Sequence, residues 1–361
     1  MRRREFLGNT GFCVGGIATA SLAASPQDLF TLKSVVPSVY MAQAKAAPVI
    51  NSNAVVVVLD DGVLVVDSHS KPSSAKALTA QIRGITNKPV RYVVNSHFHW
   101  DHAQGNRAYV GAWPDSAEII SSEAARFNLE HIGVARMRAD AALLPGSIAQ
   151  RRRQLAAASD PARRRQLEDE IAGTEAYLTE IKSLELALPS LTFDRNLTLC
   201  RGSQTVHIRF LGRGHTDGDV VVYLPRERIV ATGDLVHGYS PFMHDAHPYD
   251  WIHTLAELER LEFDFVLGGH GDVLQGKKQV TLFREFITDL MHEVEQNVGR
   301  GHAKAEVVAR VVPLLRQRFG TRFAQGSLED YLVASIEKAW DVVAMPVLPG
   351  SPLKVSDPRP K

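Results

Sequence analysis

The sequence predicts an α/β protein, because short apolar runs typical of buried strands alternate with longer segments of helical periodicity. Strand-like runs such as Val90–Val94 are rich in β-branched residues and end in turns. Residues 161–188 instead carry apolar side chains at helical spacing, with charges between them. Four of the strand-like runs end in turns that contain histidine or aspartate, so any chemistry is expected at strand ends.

The residues before the histidine-rich turn are predicted to form a hairpin, a helix and a strand. Residues 53–67 are predicted to form two strands joined at Asp60-Asp61-Gly62, a sequence typical of a hairpin turn. Lys71–Ile85 is predicted to be a helix, and Val90–Val94 is predicted to be the strand that leads into a histidine-rich turn. A further helix is expected to begin within Ala103–Val110.

A charge-rich helical segment is predicted over residues 122–188. Breaks are expected at Pro145-Gly146 and at Ser159-Asp160-Pro161, where Asp160 suits an N-cap and Pro161 the first helical position. Its arginine runs are balanced by nearby acidic residues, which favours a solvated face over an anion-binding one.

Strands return over residues 191–211 and 220–230, and three helices are predicted at 278–298, 303–319 and 328–343. A Pro-rich tail, 346–361, ends the chain.

The turn after Val90–Val94 carries three histidines and an aspartate. His97 and His99 are two residues apart in extended chain, so they point the same way and can share one metal ion. Asp101 and His102 follow after the chain begins to turn, so they can reach a second ion. Imidazole and carboxylate ligands with little thiolate suit zinc, and manganese or iron stay open.

Three more strand-like runs each end in a glycine-containing turn with one ligand-type residue. These residues are His215, Asp234 and His270. All four turns can open at one edge of a sheet, and this repetition argues against a chance cluster or a solvated histidine-rich loop.

The order of these residues, His-x-His-x-Asp-His and then a lone His, a lone Asp and a lone His, resembles the metallo-β-lactamase superfamily of dinuclear metallohydrolases. The resemblance covers about residues 50–275. It implies an αββα sandwich of two mixed sheets with outer helices. The predicted domain spans residues 45–275, with the helical insertion 122–188 inside it and a helical C-terminal region at 276–345.

The resemblance also implies two zinc ions per chain and a ligand set for each. The first ion would take His97, His99 and His215, and the second Asp101, His102 and His270. Asp234 would bridge both ions. Asp67 resembles the aspartate that supports the ligands from behind, although Ser68-His69 follow where the family usually has a glycine.

Two divalent ions with two carboxylates leave a positive site that holds hydroxide near neutral pH. We expect a hydroxide between the ions to cleave an ester, thioester, lactone or amide bond of a small molecule. Asp101 is the best candidate to orient it and to pass a proton to the leaving group. The sequence therefore predicts a metal-dependent hydrolase.

Position 234 bears on the substrate. An aspartate there resembles the glyoxalase II-like thioesterases, the lactonases and the alkylsulfatase-like members, whereas the family's β-lactamases usually carry Cys or Ser. Activity on β-lactams remains open. A second open alternative is a non-haem iron oxygenase of the persulfide dioxygenase type, for which only the positions of His97, His215 and Asp234 would be ligands.

The loop after Asp234 is rich in aromatic residues and histidines. Because the metal positions are already filled, we expect this loop and Trp100 to form the wall of a substrate pocket. Its candidate residues are His237, Tyr239, Phe242, His244 and His247.

Residues 1–44 are predicted to be a twin-arginine signal peptide, which implies export to the periplasm. Arg2-Arg3-Arg4-Glu5-Phe6-Leu7 resembles the twin-arginine motif, and Gly11–Ala24 is a moderately apolar segment. Cleavage is expected after Ala44, with an earlier candidate at Ala18-Thr19-Ala20.

The composition limits the classes of partner that are expected for this protein. The net charge of +1 argues against a nucleic acid or an anionic membrane as a partner. Apart from the signal region, no segment is long and apolar enough to be transmembrane. The mature chain would keep only Cys200, so no intrachain disulfide is expected.

Overall fold

The computed structural model describes residues 29–45, 51–182, 184–324 and 326–345. These residues form one seven-stranded and one six-stranded sheet with helices on their outer faces. The predicted αββα sandwich is therefore confirmed.

The first sheet contains seven strands in chain order. They are β1 Phe30–Val36, β2 Val39–Ala44, β3 Ala54–Val58, β4 Val63–Val66, β5 Val90–Val94, β6 Glu118–Ser122 and β7 Leu191–Phe193. Strands β1 to β4 pair antiparallel, and β4 to β7 pair parallel. The hairpin predicted around Asp60-Asp61-Gly62 is the β3–β4 pair.

The second sheet has the strand order β13-β12-β11-β10-β9-β8. Its strands are β8 Asn196–Arg201, β9 Gln204–Arg209, β10 Val221–Leu224, β11 Ile229–Gly233, β12 Phe265–Gly268 and β13 Leu274–Gln275. Strands β11 and β12 pair parallel, and the other neighbours pair antiparallel.

The helices flank the two sheets and form the predicted insertion and C-terminal region. They are α1 Pro72–Ile85, α2 Trp100–Ala103, α3 Asn106–Ala112, α4 Glu123–Asn128, α5 Val134–Ala157, α6 Pro161–Ile181, α7 Pro248–Glu259, α8 Lys278–Gly299, α9 Lys304–Phe319 and α10 Ser327–Ala344. A π-helix, Leu129–Gly133, joins α4 to α5. Within the described ranges, no helix is both long enough and apolar enough to cross a membrane.

Three apolar clusters hold the layers together. One lies between the sheets, where Val57 and Leu64 of the first sheet join Ile208 and Val222 of the second. Another packs α1 and α3 on the first sheet, and the third packs α7 to α10 on the second. Since burial of apolar surface is the dominant favourable term in folding, these clusters fix the position of both sheets and hence of their strand ends.

The predicted helix break at Pro145-Gly146 is wrong, because α5 runs through Pro145 without interruption. The helix is held by its packing against α6, where Ala141 and Leu144 contact the buried Tyr177 and Ile181. Tertiary packing of this kind outweighs the cost of proline within a helix.

The predicted second break is confirmed. The Asp160 side chain accepts hydrogen bonds from the backbone N–H groups of Ala162 and Arg163, and α6 begins at Pro161.

The predicted signal boundary at Ala44 disagrees with the structure. Residues Phe30–Ala44 form β1 and β2, and the side chains of Val39, Met41 and Ala42 are fully buried. Cleavage after Ala44 would remove both strands from the sheet. The small residues at Ala42-Gln43-Ala44 thus belong to a packed strand, and the remainder of the predicted signal, 1–28, lies outside the described residues, as does the tail 346–361.

Candidate metal centre

The predicted ligands converge where strands of the two sheets end side by side. His97 and His99 follow β5 of the first sheet, whereas Asp234 and His270 follow β11 and β12 of the second. The expectation of a single sheet edge was therefore wrong. The sandwich brings two sheet edges together, because its faces pack on a shared core.

The structure brings all seven candidate ligands together in three overlapping groups. The groups are His97, His99 and His215; His97, His102 and Asp234; and Asp101, His102 and His270. Within each group, the candidate ligand atoms lie within 4.8 Å of one another. This separation allows one ion to contact every member of a group.

Asp67 and Ser96 fix two of the histidine rings. The Asp67 carboxylate accepts hydrogen bonds from the Ser96 hydroxyl and from His102 Nδ1, both at 2.8 Å. Because the Ser96 proton is used on Asp67, Ser96 Oγ accepts from His97 Nδ1 at 2.9 Å. His97 and His102 are therefore held with Nε2 turned toward the cluster.

Two further rings are fixed in the same way. His99 Nε2 donates to Asp245 Oδ2 at 2.9 Å, and His215 Nδ1 donates to the backbone carbonyl of Phe242 at 2.9 Å. Their remaining nitrogens, His99 Nδ1 and His215 Nε2, face each other at 3.0 Å. Two facing lone pairs at this distance repel each other unless a proton or a metal ion lies between them.

Unpartnered buried atoms support the same conclusion. In the described residues, His97 Nε2, His102 Nε2 and Asp234 Oδ1 are buried without a hydrogen-bond partner. Such groups carry a desolvation penalty that a bound cation removes. Imidazole and carboxylate donors held by outer hydrogen bonds are a ligand set that fits zinc.

The electrostatics differ between the histidines of the centre. Burial and the neighbouring imidazoles lower the pKa of His97 well below its usual value and that of His215 to about 3. Burial alone would raise the pKa of Asp234, but His270 and His102 hold it well below its usual range. Burial also opposes protonation of His102 and His270, but Asp101 and Asp234 outweigh it and raise the pKa of His102 well above its usual value and that of His270 to about 9. A metal ion bound by these two histidines must therefore displace a proton.

Asp234 lies between the two outer groups. Its Oδ2 is 3.7 Å from His215 Nε2 and 3.4 Å from His270 Nε2. One carboxylate thus faces a histidine of each group, as a bridging ligand must.

Asp101 lies at the other end of the centre, away from His215. Its Oδ2 is 3.3 Å from both His102 Nε2 and His270 Nε2, and its backbone carbonyl accepts from the Ser52 hydroxyl at 2.6 Å. The position of this carboxylate is therefore set by backbone and side chain together.

His69 explains how the chain tolerates the missing glycine after Asp67. Asp67 and His69 have φ values of 57° and 64°, a left-handed conformation that favours glycine. His69 Nδ1 bonds to the Ser52 carbonyl at 2.6 Å, and its ring stacks on Phe30 of β1 with centroids 5.0 Å apart. These contacts offset the strain, so β1 supports the turn that positions Asp67.

The predicted pocket residues occupy different places. Phe242 lies beside the centre, with ring centroids 6.4 Å from His99 and 6.1 Å from His215. His244 is exposed and stacks on Phe242, and Tyr239 is 43% exposed. Phe242 thus flanks two candidate ligands, whereas His244 and Tyr239 present exposed side chains in the same loop.

The other three predicted pocket residues are less accessible. His237 is buried behind His270 and against Phe283 of α8. His247 is half-buried at the start of α7, and Trp100 donates from Nε1 to Asp140 of α5 at 3.1 Å. These side chains support the site from within or pack on the insertion.

Sequence reasoning missed Ser96, Asp245 and Arg136. Ser96 stands directly before His97, and Asp245 lies among the loop histidines, so both had a positional signal. Arg136, whose guanidinium pairs with Asp245, is 109 positions away in the insertion and had none.

Comparison with known proteins agrees with this geometry. A family model for the metallo-beta-lactamase superfamily matches residues 47–270. The linear primary-alkylsulfatase of a Pseudomonas species is 24% identical over 284 residues, which cover 72% of this chain and 52% of that protein. The metallo-beta-lactamase type 2 of Elizabethkingia meningoseptica is 24% identical over 135 residues, covering 34% of this chain and 52% of that protein.

Solved structures show the same fold. A metallo-beta-lactamase from Pontibacter korlensis has a TM-score of 0.52 and 18% identity, covering 72% of this chain and 99% of that one. The stereoselective inverting sec-alkylsulfatase from Pseudomonas sp. has a TM-score of 0.58 and 16% identity, covering 87% of this chain and 50% of that one.

By its fold and by the residues that converge at its strand ends, the protein is a metallo-β-lactamase-fold protein. The chain belongs to the metallo-β-lactamase superfamily, whose members bind metal ions, usually zinc. The chain spans about half the length of the curated relatives it matches.

Proposed function

We propose that this protein is an exported hydrolase that binds two zinc ions and cleaves an ester, thioester, lactone or amide bond of a small molecule. The observation that carries the proposal is the inward-facing ligand set. Four histidines are each fixed through one ring nitrogen. The other nitrogens of His97, His102 and His215 lie near the buried carboxylate of Asp234, and that of His99 faces His215.

The residues divide into two metal sites that share one carboxylate. His97, His99 and His215 would hold the first ion, Asp101, His102 and His270 the second, and Asp234 would contact both. When bound, the ions supply hydroxide at neutral pH and stabilise negative charge that develops on the substrate.

Asp101 is the residue best placed to handle the proton. Burial raises the pKa of this carboxyl, but His102 and His270 hold it well below its usual value, so it starts the reaction as a base. It takes the proton released on attack and returns it to the leaving group. The hydrogen bond from Ser52 to its backbone carbonyl keeps it oriented during both transfers.

A second candidate substrate class is a sulfate ester. The alkylsulfatase from the Pseudomonas species aligns over 72% of this chain, against 34% for the β-lactamase relative. The sec-alkylsulfatase structure likewise covers 87% of the chain, against 72% for the β-lactamase structure from Pontibacter korlensis. The sulfatases thus match parts of this chain that those β-lactamases leave out.

A substrate panel tests the proposed reaction. We expect the zinc-loaded protein to hydrolyse at least one thioester, lactone or aryl ester faster than a β-lactam, because Asp234 resembles the non-lactamase members. Turnover of alkyl sulfates alone would select the second candidate. Preference for a β-lactam, or iron binding with oxygen consumption, would contradict the proposal. The matched control is the same protein stripped of metal by a chelator.

Export by the twin-arginine route is a separate part of the proposal. Replacing Arg3 and Arg4 by lysine should leave the precursor in the cytoplasm, because a receptor reads the arginine pair and not the bulk charge. Cell fractionation followed by immunoblotting measures the distribution, with Arg2→Lys as the control. Unchanged delivery of the Arg3→Lys/Arg4→Lys variant to the periplasm would contradict this part.

A further inference from the structure

A partly buried charge pair, in which the Arg136 side chain is 37% exposed, connects the helical insertion to one of the candidate metal ligands. Arg136 of α5 donates to Asp245 through both terminal nitrogens, Nη1 to Oδ2 at 2.5 Å and Nη2 to Oδ1 at 2.9 Å. The same Oδ2 accepts from His99 Nε2 at 2.9 Å. The Asp245 side chain is only 18% exposed and that of His99 14%.

The bidentate contact restricts the orientation of the Asp245 carboxylate. A guanidinium that bonds both oxygens holds the Asp245 group in one plane. With that plane fixed, Oδ2 stays directed at His99 Nε2, and the ring is held with Nδ1 facing His215 Nε2 at 3.0 Å. Without the arginine, the carboxylate can rotate about its last bond and the imidazole can follow it.

Helix α5 also contacts the two residues that flank His99 in the chain. The Arg136 guanidinium lies over the ring of Phe98, 5.6 Å from its centroid, and Phe98 is the residue between His97 and His99. One turn further along α5, Asp140 accepts a hydrogen bond from Trp100 Nε1 at 3.1 Å. The helix therefore contacts the residues on both sides of His99.

We propose that Arg136 is a positioning residue for metal binding, which acts through Asp245 on the ring of His99. The inference rests on the proposed metal centre. It assigns the insertion a role in holding the first ion, in addition to any part that it has in the substrate pocket.

Zinc affinity measured by competition with a chromophoric chelator tests this inference. We expect Arg136→Gln to weaken the binding of one of the two ions by about 10-fold, and Asp245→Asn by about 10- to 100-fold, as for other residues that orient metal ligands. Arg138→Gln changes an exposed arginine on the same helix and should match the wild type. Arg136→Lys should bind zinc more tightly than Arg136→Gln but less tightly than the wild type, since lysine keeps the charge but not the bidentate contact.

The double variant shows whether Arg136 acts through Asp245. Arg136→Gln combined with Asp245→Asn should bind zinc no more weakly than Asp245→Asn alone, because the arginine has lost its target. The melting temperature of the metal-free proteins separates positioning from general destabilisation. A positioning role lowers zinc affinity even where that temperature is unchanged.

Three results would overturn the inference. One is wild-type zinc affinity in Arg136→Gln, and another is a double variant whose losses add. The third applies if Arg136→Gln does not fold: wild-type zinc affinity in both single variants, Arg136→Lys and Asp245→Asn, would then contradict the inference. Failure of the wild-type protein itself to bind zinc is a different result, which would overturn the proposed function and the inference with it.

Discussion

Replacing Asp234 by alanine will cost the protein at least one of the two metal ions proposed for it. The Asp234 carboxylate faces His215 of one group and His270 of the other, so its loss removes a ligand from both ions. It also removes the negative charge that screens the two cations from each other. Elemental analysis of the purified variant should show sharply lower zinc per chain, with activity reduced in parallel.

Asp115→Ala is a matched control for this substitution, because Asp115 is an exposed aspartate that belongs to none of the three ligand groups. It should keep the metal content and the activity of the wild type. Asp234→Asn adds a test of charge, since it keeps the shape but not the negative charge. Full retention of two ions per chain by Asp234→Ala would show that this residue does not bridge them.

Replacing Asp101 by asparagine will reduce kcat by about 10²- to 10⁴-fold, the usual contribution of a positioned general acid or base. Asparagine keeps the size of the side chain but can neither take up nor return a proton. Because the role concerns the chemical step, KM should change less than kcat. Zinc content has to be measured on the same sample, since Asp101 is also a candidate ligand of the second ion.

Variants in the loop after Asp234 should show the opposite effect, a change in KM or substrate preference rather than in kcat. Phe242→Ala removes a ring beside His99 and His215 but keeps the backbone carbonyl that accepts from His215 Nδ1. Tyr239→Ala removes an exposed ring. Both should retain zinc and change KM or substrate preference. If these variants lose zinc while Asp101→Asn keeps both zinc and turnover, the roles assigned here are wrong.

The sequence could predict the fold and the set of ligand-type residues because both depend on local patterns. Apolar runs of strand length ended at glycine-containing turns, and the helices beyond residue 277 had clear periodicity. The mixed αββα arrangement came from the family resemblance, and the structure confirms it. The prediction of a helix break at Pro145 was wrong because packing against α6, and not the local sequence, determines whether α5 continues.

Other features depended on contacts that no local pattern records. Ala42 and Ala44 have the small side chains of a processing site, but their strand pairs with β1 and β3 within the sheet. His69 replaces a glycine only because Phe30 and the Ser52 carbonyl hold its ring. Arg136 reaches the site from a helix whose position follows from its packing, so its contact with Asp245 appears only in three dimensions.

The central claim is that the seven converging residues hold two metal ions. Crystals of the zinc-loaded protein, measured on both sides of the zinc absorption edge, test it most directly. We expect two anomalous peaks, one between His99 and His215 and the other between Asp101 and His270, with Asp234 in contact with both. Absence of a zinc peak among these residues in protein that contains stoichiometric zinc would contradict it.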